Sequence, residues 1–211
     1  MLVSDSHKFV FHHVPKTGGT SITAALAPYC NLWKGTLPED EKHGWQVQFH
    51  QVGLHLPVKE AIESVLPWPT GPMAKWPWPD DFPKGYFSFA FVRNPFEVIV
   101  SAWDFEKYKE FDVYVEHEIF TGLEICARRS QYEYLTDNGK LLVDFVGRYE
   151  NLSGDFYEIV NEVKVPLMML PKRNISKGKK SKDYRKYFTP LSRKTVERKF
   201  EKDLNFFNYE F

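Results

Sequence analysis

The run Val14-Pro15-Lys16-Thr17-Gly18-Gly19-Thr20-Ser21 constrains this chain more than any other segment. It follows Lys8–Val14 (KFVFHHV), which reads as a short strand ending at Pro15, and it leads into Thr20–Tyr29, which reads as a helix with Ile22, Ala25 and Leu26 inward. Strand, glycine loop and helix, in that order, form an anion cradle. Gly18 and Gly19 let backbone N–H groups close around an anion without interference from Cβ atoms. The helix that follows offers unpaired amides and the positive end of its dipole. Lys16 adds a mobile cation, and Thr17, Thr20 and Ser21 add hydroxyl donors. The bland alternative is a glycine turn with a solvated lysine, and it leaves the agreement of these parts unexplained. The loop is P-loop-like but is not a Walker A loop, because its lysine precedes the glycines.

The rest of the pattern sets this loop in an α/β fold. Gln48–Leu56 holds a short strand, and Pro57–Val65 reads as a helix with proline in its first turn. Residues 66–84 are rich in proline, with Trp68, Trp76 and Trp78 between, and read as a loop. Gly85–Arg93 (GYFSFAFVR) is apolar on both faces, as in a buried parallel strand. Helices follow over Pro95–Lys107 and Asp112–Ala127, then a strand over Leu141–Arg148, a helix over Leu152–Val163 and a last strand over Pro166–Leu170. A final helix starts at Pro190 under a Thr189 cap, with Val196, Phe200 and Leu204 as its stripe. The alternation predicts a central parallel β-sheet flanked by helices in a single domain over 1–211. In such sheets ligands bind beyond the carboxyl ends of the strands, so residues just after strands carry the most interest.

Charge narrows the function further. With 28 basic and 28 acidic residues the net charge is zero, which argues against nucleic-acid binding by bulk charge. Cys30 and Cys126 form no CxxC pair, so they read as reduced thiols rather than as zinc ligands or a disulfide framework. The amino terminus lacks a signal-peptide core, and no apolar run nears the roughly 20 residues of a membrane span. Together these features read as a cytoplasmic protein with no integral membrane segment.

Two further features stand just after strands. Arg93, in Phe91-Val92-Arg93-Asn94-Pro95, closes the buried strand, and Ser101 lies eight residues on, two turns into the next helix. A guanidinium and a hydroxyl so placed suit a second phosphate. An arginine at a strand end equally suits pairing with a carboxylate. His55, in Gln51-Val-Gly-Leu-His55-Leu-Pro57, stands between a strand and a helix start, where an imidazole titrating near neutrality suits a general base. His50 is its rival, and a structural histidine is the plain alternative.

In combination, PKTGGTS, Gly-x-His before a helix, and FAFVRNP with a serine eight residues past its arginine resemble the carbohydrate-type sulfotransferase family. That family includes heparan sulfate 2-O-sulfotransferases and smaller bacterial enzymes. Gln131–Asp137, Asp144–Leu152 and the closing Asp203–Phe211 are similar to the same family, so the resemblance runs from about Lys8 to the end. It implies a donor, 3′-phosphoadenosine-5′-phosphosulfate (PAPS), whose sulfonate passes in line to an acceptor hydroxyl, with 3′,5′-ADP as the product. A carbohydrate or glycoconjugate is the favoured acceptor, and a lipid headgroup or a secondary metabolite is the alternative. It implies that Lys16, Thr17, Gly18, Gly19, Thr20 and Ser21 hold the 5′-phosphosulfate, that Arg93 and Ser101 hold the 3′-phosphate, and that His55 takes the acceptor's proton. Lys16 would also neutralise charge on the bridging oxygen. No metal is implied, since the leaving group is a stabilised phosphate.

The chain departs from the family at Val98, where members carry an arginine. Lys177–Lys182 reads as a basic lid over PAPS or as a solvated loop. Trp68–Trp78 reads as a sugar-stacking surface or as a plug on the core. A nucleotide-dependent kinase would need a magnesium-binding aspartate after a strand, for which Asp144 is the acidic candidate. A binding module that has lost catalysis would have no use for both Lys16 and His55.

Overall fold

Phenylalanine at every second position builds the central sheet. Phe9 and Phe11, then Phe87, Phe89 and Phe91, recur with the period of two that puts side chains on one face of a strand. The structure is a computed structural model that describes residues 2–30, 58–59, 85–121, 129–171, 181 and 183–211. Its strands are β1 (Leu2–Ser4), β2 (Phe9–His12), β3 (Phe87–Val92), β4 (Thr136–Asp137), β5 (Lys140–Leu141) and β6 (Phe145–Arg148). The main sheet has the order β1-β2-β3-β6. β1 runs antiparallel at the edge, and β2, β3 and β6 are parallel. Register puts Phe9 opposite Phe87 and Phe11 opposite Phe89. The Phe11 and Phe89 rings stack with centroids 5.3 Å apart.

The helices are α1 (Gly19–Leu26), α2 (Pro95–Glu106), α3 (Phe111–Thr121), α4 (Gln131–Leu135), α5 (Leu152–Glu162), α6 (Pro190–Lys199) and α7 (Glu201–Phe206). Ile22 and Leu26 of α1 and Phe156, Ile159 and Val160 of α5 bury the phenylalanine face of the sheet. On the other face Ala90 and Val92 pack with Val14, Val58, Tyr134, Leu135 and Phe207. A third cluster joins α2, α3 and α6 through Phe96, Ile99, Tyr114, Val115 and Val196. The result is one mixed α/β domain, a mostly parallel sheet flanked by helices.

Several elements differ from the sequence reading. The run Leu141–Arg148, expected as one strand, is divided. Lys140–Leu141 pairs with Thr136–Asp137 across Asn138 and Gly139, both at positive φ, and only Phe145–Arg148 enters the main sheet. An Asn-Gly pair favours such a tight hairpin turn. Pro166–Leu170 is not a strand among the described residues. Leu167 and Met169 face solvent while Met168 and Leu170 pack on the core, so the alternation that suggested a strand anchors an unpaired segment instead. The last helix breaks at Phe200 into α6 and α7. β1 had no counterpart in the sequence reading. Val58 and Lys59 are helical, but the rest of Gln48–Val65, the Trp68–Trp78 loop, Cys126 and all of Lys177–Lys182 except Ser181 lie outside the described residues. Cys30 is buried, and burial pushes its thiol up to about 12. No helix among the described residues is long and apolar enough to cross a membrane.

Gly147 on β6 faces Phe91 on β3, and a Cβ at Gly147 would lie 2.4 Å from the Phe91 ring. Gly147→Ala is therefore expected to cost about 1–3 kcal/mol by overpacking. Urea unfolding checks this, and Phe91→Leu in the same chain should recover part of the loss.

Candidate functional site

The carboxyl ends of β2, β3 and β6 each feed one part of the site. β2 hands the chain to the glycine loop, whose shape rests on two left-handed residues, Lys16 at φ 63° and Gly18 at φ 85°. Left-handed backbone is ordinary for Gly18 but strained for a lysine, so its neighbours must hold it there. One does so inside the loop, where the Thr17 hydroxyl donates to the Val14 carbonyl at 2.9 Å and is fully buried. That hydroxyl is turned inward, so what Thr17 can offer an anion is its backbone N–H.

The two glycines also make room for protein. A Cβ on Gly19 would sit 2.0 Å from the His13 ring, which closes against the start of α1. A Cβ on Gly18 would come within 3.0 Å of Leu152 and 3.2 Å of Tyr149. Gly18 is the N-cap of α1, and no side chain among the described residues caps that end. Ser21 is buried in the first turn, its amide already bonded to the Gly18 carbonyl at 3.0 Å, while Thr20 is exposed. His12, just before the loop, is held neutral because burial lowers its pKa to about 3.

β3 delivers Arg93, whose backbone is clamped. Gln131 on α4 accepts from the Arg93 N–H at 2.8 Å and donates to the Arg93 carbonyl at 2.7 Å. Asp203 on α7 fixes Gln131 in turn, accepting from the Gln131 amide at 2.9 Å and the Tyr132 amide at 2.8 Å. Arg93 is 6% exposed, and its guanidinium carbon lies 3.9 Å from the centroid of the ring of Tyr149, which follows β6. Its Nε and Nη2 donate to one oxygen of Glu97 at 3.0 and 2.7 Å. Its Nη1 donates to the Lys16 carbonyl at 3.3 Å. The carboxylate pairing that the sequence left open is thus made, and it engages only one side of the fork. Of the five N–H groups of a guanidinium, the two left over have no partner among the described residues.

α2 closes the arrangement. Glu97, Ser101 and Phe105 stand at successive i, i+4 positions and form one stripe. Glu97 holds Arg93 at one end, and Phe105 lies 4.0 Å below the Lys16 Nζ at the other. Ser101, itself buried, sits between them. The structure therefore gathers Lys16, Thr17, Gly18, Gly19, Thr20, Ser21 and Arg93 at one edge of the sheet, with Ser101 on the bordering helix face. His55 and His50 lie outside the described residues. Val58, three residues after His55, is buried in the same apolar cluster as Val14 at the start of the loop.

Gln131, Asp203, Tyr149 and Glu97 were not singled out as site residues from the sequence. Only Glu97 carried a local signal, its i+4 spacing from Arg93 on a helix. Val98, at the departure from the family pattern, is buried and lines a small cavity with Gln131 and Asp203. Asp144 stands before β6, at the end of the sheet away from the loop, and accepts from the Ser88 amide at 2.7 Å and hydroxyl at 2.6 Å. It is not placed to serve phosphates at the carboxyl edge.

The sequence profile described as the sulfotransferase family matches residues 1–210 of this chain. The chain belongs to the sulfotransferase family. The family's activity, transfer of a sulfonate group, makes the protein a transferase. A relative from Archaeoglobus fulgidus (strain ATCC 49558), described as an uncharacterized protein, is 32% identical over 87 residues, covering 39% of this chain and 71% of the relative. No solved structure matches this sulfotransferase.

The Asp203 brace has a pH signature. Burial raises the Asp203 pKa above its ordinary 3.8, although the Tyr132 and Gln131 hydrogen bonds pull it down. The folded state therefore takes up a proton more readily than the unfolded state, and this group's contribution to stability grows as the pH falls from its raised pKa toward 3.8. Wild type should gain stability relative to Asp203→Asn on acidification toward pH about 4. Denaturant titrations across that range check the sign, and parallel curves would show that Asp203 titrates normally.

Proposed function

We propose that this sulfotransferase takes its sulfonate from PAPS and passes it to a hydroxyl of a carbohydrate or glycoconjugate by in-line displacement. The observation that carries the reading is the bond from Arg93 Nη1 to the Lys16 carbonyl. It sets a buried guanidinium, two of whose N–H groups have no partner among the described residues, directly beside a glycine loop whose helix end has no side-chain cap among them. Two adjacent anion sites fit a donor with two anionic groups, one at each end of a ribose.

In this reading PAPS supplies a sulfonate on an activated phosphosulfate, and 3′,5′-ADP leaves. The amides of Gly18, Gly19 and Thr20 and the hydroxyls of Thr20 and Ser21 hold the 5′ end, with Thr17 contributing its amide. Arg93 and Ser101 hold the 3′-phosphate. Lys16 neutralises the charge that grows on the leaving oxygen, where a placed cation is worth several kcal/mol. His55 accepts the proton of the acceptor hydroxyl. Only three peptide units, roughly 11 Å of chain at most, separate it from the buried anchor at Val58. The buried Cys30 thiol suits a reducing, cytoplasmic setting.

His55→Ala should lower transfer from PAPS by about 10²–10⁴-fold, followed as 3′,5′-ADP release with a glycan panel, while its affinity for 3′,5′-ADP stays unchanged. Wild-type turnover in that variant would end the general-base role and turn attention to His50. Arg93→Ala should weaken 3′,5′-ADP about 10- to 100-fold, and 5′-AMP much less. Equal losses for the two nucleotides would contradict the 3′-phosphate role.

A further inference from the structure

Phe105 is an unusual residue to leave in water. It is 55% exposed in the last turn of α2 and belongs to none of the buried clusters that hold the domain together. Among the described residues packing does not explain a phenylalanine there, but a close cation does. The Lys16 Nζ lies 4.0 Å from the ring centroid, within the range where the negative face of an aromatic ring attracts an ammonium.

The Lys16 backbone has little freedom to carry that ammonium elsewhere. Its φ is 63°, its carbonyl accepts from Arg93, and Thr17 is pinned to Val14. Only the four-carbon side chain can swing. The Phe105 ring is one destination for it, and the anion cradle of its own loop is another.

We propose that Phe105 is a resting site for the Lys16 ammonium, which donor binding must empty. Phe105 is then a positioning residue. It holds the lysine beside the loop in a defined place, and it lowers donor affinity by the strength of the contact that is given up. An exposed cation–π contact of this kind corresponds to about a two- to five-fold change in affinity. This inference rests on the donor reading above, since it needs an anion to draw Lys16 to the loop.

Nuclear magnetic resonance of ¹³C-lysine-labelled protein tests it, with the Lys16 signal assigned by its loss in Lys16→Arg. In the free wild type the Lys16 ε-methylene protons are expected upfield, in the shielding cone of the ring. Saturating 3′,5′-ADP should return them to the ordinary lysine position, and Phe105→Leu should do so without ligand. Phe105→Leu should also bind 3′,5′-ADP about two to five times more tightly than wild type. An unshifted Lys16 in the free protein, an upfield shift that survives saturation, or unchanged affinity in Phe105→Leu would overturn the resting site and leave the donor reading standing. Failure of the wild type to bind 3′,5′-ADP in the same titration would remove the donor reading and this inference with it.

Discussion

The hydrogen bond from the Arg93 guanidinium to the Lys16 carbonyl joins the ends of two parallel strands, and the rest of the site depends on that union. Parallel pairing of β2 and β3 brings the two chain exits side by side, but it does not set the direction of either loop. Arg93 does so by reaching across to a lysine held in left-handed backbone. A short, flexible glycine loop would otherwise sample many shapes, and a preshaped cradle avoids that ordering cost on binding.

A buried guanidinium is itself costly unless it is well partnered. Here the partners come from four parts of the chain. Glu97 takes one side of the fork, Tyr149 lies under its face, Lys16 meets its end, and Gln131 grips the backbone behind it. Asp203 stands behind Gln131 as a further support. A chain of zero net charge thereby concentrates positive potential at one point, from a fixed arginine, a mobile lysine and the amino end of α1.

The loop and the strand-end arginine were legible in the sequence because their signals are local. A strand, a glycine pair and a helix start lie within adjacent residues, and Arg93 directly follows an apolar run. The brace was not legible, because Gln131 meets Arg93 across 38 residues and Asp203 meets Gln131 across 72. No periodicity reports a contact of that span. The hairpin at Asn138-Gly139 did carry a local turn signal, hidden within an apolar stretch that looked like a single strand. Part of the reason for glycine in the loop is protein, since His13, Leu152 and Tyr149 occupy the space a Cβ would need.

Family membership assigns sulfonate transfer, and the donor proposed for it is one with two anionic ends. Calorimetric titration of the wild-type protein with 3′,5′-ADP, set beside ATP with magnesium, tests that step most directly. Micromolar binding of 3′,5′-ADP with weak binding of magnesium-ATP is the expected result. Tight magnesium-dependent ATP binding with no response to 3′,5′-ADP would contradict it and favour a kinase.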